Sequence, residues 1–68
     1  MRNLYVRRGL LEVGQTQRWL IDRLRDKGIT TDETELSSVL NGRRTGPKAR
    51  EIIKTTVDIL DAHGYHGD

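Results

Sequence analysis

Apolar residues fall into four helical stripes along this chain, each followed by a glycine. In the first, Leu4, Leu11 and either Val6 or Leu10 share one face at helical spacing. Asn3 is a fitting cap and Gly14 a fitting terminator, so the pattern predicts a helix over 3–13. Gly9 inside it costs about 1 kcal/mol relative to alanine, which predicts fraying of its early part. Leu20, Ile21 and Leu24 form the second stripe, behind the good N-cap Thr16. Gly28 ends that helix, predicted over 17–27, through the left-handed backbone open to glycine. Asp32 with Glu35 three residues on has the form of a capping box. It opens a third helix over 32–41 with Leu36, Val39 and Leu40 as its stripe and Asn41-Gly42 as its stop. Pro47 suits the first position of a fourth helix, predicted over 47–62. Its wide apolar face is Ala49, Ile52, Ile53, Thr56, Val57 and Leu60, with Ile59 near the margin and Gly64 beyond the end. The tail 63–68, HGYHGD, is expected to be loose. The predicted fold class is all-α, with four helices.

Length and composition narrow this further. Sixty-eight residues make one domain, 1–68, and a chain this short buries a modest fraction of its surface. Apolar content is 34%, and the three aromatic residues are Tyr5, Trp19 and Tyr65. That allows one small helical core and no large ligand cavity, so no small-molecule ligand or cofactor is expected. There is no cysteine, hence no disulfide and no cysteine-based metal site. Neither a signal-peptide apolar run nor a membrane-spanning one is present, and a cytoplasmic protein is expected. Net charge is only +2, but its distribution is uneven. Gly28 to Gly42 holds three acids, Asp32, Glu33 and Glu35, and no base; Arg43 to Lys54 holds five bases against the single acid Glu51.

The second and third helices are short, amphipathic and joined by a polar turn, Thr30 to Asp32. That is the form of a helix-turn-helix, whose second helix reads the major groove of DNA. The stretch resembles the Cro/repressor-type (XRE, lambda-repressor-like) DNA-binding family. The resemblance rests on Thr16-Gln17, Leu20-Ile21, Leu24, Gly28-Ile29-Thr30, Leu36-Ser37, Val39-Leu40 and Asn41-Gly42-Arg43. It covers this segment well and the rest of the chain loosely. One departure is an interval from Gly28 to Gly42 that runs longer than the family's usual spacing, with the excess in the turn. The resemblance implies a four-helix lambda-repressor-like domain and a small phage or mobile-element regulator of Cro type.

On the third helix the side opposite the apolar stripe presents Glu33, Thr34, Ser37, Ser38 and Asn41. Serine and threonine bond several base edges and glutamate accepts from cytosine N4, so Glu33, Thr34, Ser37 and Ser38 are the candidate base readers. Asn41, at the helix end, suits a phosphate better, and the resemblance implies the same. Gln17 opens the second helix, where its amide and free backbone N–H groups can meet a phosphate, a use the resemblance also implies. Arg43, Arg44 and Lys48 complete the candidate phosphate set, with Arg18 beside Gln17. The Arg18/Asp22 and Asp22/Lys27 neighbourhoods read as ordinary surface pairing, worth a few tenths of a kcal/mol each. Arg2, Arg7 and Arg8 read as solvated. The acids opening the third helix have a local role in capping and in complementing the helix dipole. Pointing into the groove, Glu33 would instead exclude most sequences.

Other chemistry finds little support. His63 and His66 lack the further ligands of a metal site. A Ser37, His63 and Asp61 set has nothing to orient its histidine, so no enzyme activity is expected. Trp19 sits one position off the apolar stripe and reads as a core-edge residue, because base-stacking platforms come in sets. The expectation is therefore sequence-specific binding to double-stranded DNA as a small transcriptional regulator. One helix-turn-helix buries little surface on DNA, so a homodimer on a two-fold site is expected, formed in solution or only on DNA. Two alternatives remain open: a protein-binding adaptor using the acidic third helix, and a DNA-architectural or recombination accessory factor.

Overall fold

The computed structural model describes residues 2–65, with side chains from Val6 onward. The described residues form four helices and no strand: α1 Arg2–Val13, α2 Gln17–Asp26, α3 Glu33–Leu40 and α4 Pro47–Ala62. One apolar core joins them, with Val6 and Leu10 from α1, Leu20 and Leu24 from α2, Leu36 and Leu40 from α3, and Ile52 and Leu60 from α4 all buried. Burial of this kind contributes about 25 cal/mol per Å² of apolar surface, and it is the main force holding so small a chain.

All four helices stop in the same way. Each is followed by a glycine at positive φ, namely Gly14, Gly28, Gly42 and Gly64. At Gly28 the φ of 86° lies where a Cβ would crowd the backbone. The turn lets Ile29 N–H donate to the Leu24 carbonyl at 2.9 Å, and Ile29 is itself buried. This is the Schellman closure, with its apolar contact across the helix end. Gln15, Arg43 and Tyr65 make the matching bonds to Leu10, Ser38 and Leu60. Helix starts follow their expected chemistry. The Thr16 hydroxyl accepts from Trp19 N–H, the Asp32 carboxylate accepts from Glu35 N–H, and Pro47 opens α4.

Several sequence expectations change. The first helix already runs at Arg2, so Asn3 lies inside it and is not its cap. Leu4 lies outside the residues whose side chains are described. Leu11 is 81% exposed, whereas Val6, Gly9 and Leu10 are buried and Val13 is half-buried. The inward face of α1 is thus Val6, Gly9, Leu10 and Val13, at i, i+3, i+4 and i+7, and Leu11 sits one position round from it. Gly9 belongs to this face because α1 and α4 approach closely there. A Cβ on it would stand 2.5 Å from Leu60 Cδ1 and 3.0 Å from Tyr65 Cδ2. Ile59 is not marginal but 3% exposed, since α4 meets all three other helices and buries a wide arc. In the tail, His63 and Tyr65 are not loose. His63 N–H is bonded to the last turn of α4, and Tyr65 packs against the core. The rest of the tail, with His66, lies outside the described residues.

Candidate nucleic-acid interface

The chain turns from α2 into α3 over Lys27 to Asp32, and the two helices pack against each other. Leu36, Val39 and Leu40 pin α3 inward. Helical geometry then turns Glu33, Thr34, Ser37, Ser38 and Asn41 outward. Glu33, Thr34 and Asn41 are exposed, and Ser37 and Ser38 are half-buried. Asn41 is the C-cap of α3; its Nδ2 donates to Ser37 Oγ at 3.4 Å.

Cations stand on both sides of this outward stripe. On the side toward α1 and α2, Arg18 Nη1 lies 3.1 Å from Glu33 Oε2, and Arg7 Nη2 donates to Asn41 Oδ1. On the side toward α4, Lys48 Nζ lies 3.2 Å from Glu35 Oε1 and Arg44 Nη1 lies 3.9 Å from Glu35 Oε2. Arg43 follows at the exit of α3, exposed and with no ion pair among the described residues, while its backbone N–H is tied to Ser38. Gln17 is half-buried at the first position of α2.

Two of the three acids at the start of α3, Glu33 and Glu35, are thus ion-paired within the molecule, and Asp32 caps the helix. Glu35 is only 21% exposed. The Thr31 hydroxyl donates to it at 2.7 Å. That bond, followed by the bond from Lys48 and the charges of Lys48 and Arg44, outweighs desolvation and holds its carboxyl below the ordinary glutamate range. The capping box is half made: Asp32 caps, but the Glu35 side chain turns to Thr31 and the cations rather than back to Asp32.

The structure brings the candidate base readers onto one strip, with Arg18, Arg44 and Lys48 paired to acids of α3 and Arg43 at its exit, while Gln17 opens α2 next to Arg18. It also corrects the surface pairing. Arg18 bonds Glu33, not Asp22; Asp22 pairs with Arg25, and Arg23 with Asp26, both at i, i+3. Arg7 is exposed, as its place on the polar side of α1 implies, and the tertiary approach of α1 to the end of α3 brings it to Asn41. Trp19 packs at the edge of the core with its ring 4.9 Å from that of His63, edge to face. Among the described residues no three His, Asp or Glu side chains come together as metal ligands. No described helix is long and apolar enough to cross a membrane.

Comparison with family models, curated proteins and solved structures finds no match for this chain.

Proposed function

We propose that this chain is a sequence-specific binder of double-stranded DNA, a small transcriptional regulator that lays α3 in the major groove. The observation that supports this best is the outward strip of α3, polar along its length and set between two banks of cations. Thr34, Ser37 and Ser38 read bases. Glu33, held by Arg18, accepts from cytosine N4 or excludes other bases. Arg43, Arg44, Lys48, Arg18, Gln17 and Asn41 meet phosphates and set the register. The ion pairs of Glu33 and Glu35 lessen the repulsion between an acidic helix start and a polyanion, with Arg18, Arg44 and Lys48 shared between carboxylate and phosphate. The protein acts by occupancy in the bacterial cytoplasm, with no chemical step of its own, as a homodimer that occludes a promoter on a two-fold site.

Selection from random duplexes, then a salt titration on the enriched sequence, tests this reading. The expected result is a two-fold motif with half-sites about one helical turn apart. Arg43→Ala should weaken binding about equally on all sequences and lower the log–log salt slope by about one unit. Changing Ser37 and Ser38 to alanine should instead alter which sequences win and leave the slope nearly intact. No enrichment, with no binding at low salt, would sink the DNA reading.

A further inference from the structure

A groove of about 1070 Å³ runs between the end of α3 and the first half of α4. Val39, Leu40, Ala49 and Ile53 form its apolar floor, and Arg44, Arg50 and Lys54 stand among its lining residues, which include no carboxylate. After Lys54 the character of α4 reverses: Asp58 and Asp61 follow, and no lysine or arginine occurs in the rest of the helix. The two halves meet on one edge. Arg50, Lys54, Val57 and Asp61 recur at i, i+4, i+7 and i+11, so they lie along one line of the helix. Ile53 flanks that line on the core side and Asp58 on the outer side. Ile53 and Val57 are half-buried; the four charged residues are exposed.

We propose that this edge of α4 docks a second copy of the chain in antiparallel fashion, the acidic half of each α4 lying over the basic groove of the other. A two-fold axis brings each contact in twice and keeps core side with core side. With Arg50 opposite Asp61 of the second copy, Lys54 reaches its Asp58 on the outer edge, while Ile53 meets its Val57 on the inner edge. The result is a short apolar seam with a row of opposite charges beside it, the arrangement that fixes partner and direction in paired helices. The charge pattern is what selects this occupant: one helix carries both the lock and its complement. The interface is small and its ion pairs exposed, so the dimer is weak and salt-sensitive. Its α4 pairs leave Glu33, Thr34, Ser37 and Ser38 untouched, although the groove it covers also takes in Asn41 and Arg44, which the DNA reading assigns to phosphates.

Sedimentation equilibrium of the full chain tests the proposal. The wild type should associate reversibly, with a dissociation constant that rises with salt. R50E/K54E and D58K/D61K should each sediment as monomers while keeping their helical circular dichroism. An equimolar mixture of the two should regain the dimer. Because Asp61 has a further interaction within its own chain, the single changes K54E and D58K form a second complementary pair that spares it. A wild type that stays monomeric up to about 1 mM, the weak end of specific association, overturns the proposal. So do reversed variants that dimerise as the wild type does, and a mixture that stays monomeric. Duplex selection on the same proteins separates the readings: dimers that enrich no sequence leave the α4 interface standing and the DNA function fallen.

Discussion

The α2–turn–α3 unit and the α1–α4 contact hold the same core in different ways. In the first, local chemistry decides nearly everything: Thr16 and Asp32 cap, Gly28 and Gly42 stop, and Leu20, Leu24, Leu36 and Leu40 fill the space between. In the second, the decisive residue is one with no side chain. Gly9 brings α1 against Leu60 and Tyr65, and neither helix contains a local signal for that approach. Side chains that fill a space and a glycine that permits a close approach fail differently when changed.

The largest effect should follow Leu36→Ala, which empties a fully buried position between the helices. A loss of about 2–5 kcal/mol is expected, much of the stability of so short a chain, and thermal denaturation should find the variant largely unfolded at 25 °C. Gly9→Ala tests the other region. The added methyl raises helix propensity by about 1 kcal/mol but overpacks Leu60 at a cost of about 1–3 kcal/mol. Net destabilisation in urea unfolding is expected, and a gain in stability would mean that α1 can retreat from α4. Removing the cap with Asp32→Ala should cost about 1 kcal/mol, with the change confined to stability.

The smallest effect concerns Glu35. Its folded carboxyl titrates below the ordinary value of 4.5. Its contribution is therefore present above that value and lost as pH falls through the lower folded value, where the unfolded chain has already taken up the proton. Glu35→Gln should flatten this acid limb of the stability curve, whereas Gly9→Ala, which keeps the carboxyl, should retain it. An unchanged limb would place the acid sensitivity elsewhere.

Most of the helical framework could be read from the chain because its signals are local. Caps and stops lie within a turn of the boundary they set, and all four helix-ending glycines do what their spacing implied. Face assignment in α1 failed because only large apolar residues were counted. Periodicity of the large side chains puts Leu11 inward and makes Gly9 a weakness, whereas the second helix across the contact makes glycine the fitting residue. The packing of Tyr65 is hidden for a related reason: nothing near it in sequence announces the helix it rests on. In the candidate interface, Glu33 to Ser38 could be placed by periodicity alone. The partners of Arg7, Arg18 and Glu35 could not, since each lies on another element or across a turn.

The meeting of Gly9 with Tyr65 also has a kinetic side. It joins positions at nearly opposite ends of the described chain, so making it closes a loop around everything between. The α2–α3 pair needs only a short turn and can form early, at small entropic cost. Docking of α1 on α4 should then come late. Substitutions at this seam should therefore speed unfolding while leaving the folding rate nearly unchanged, and those in the capped pair should slow folding itself. A residue without a side chain would then set how long the folded state lasts more than how quickly it is reached.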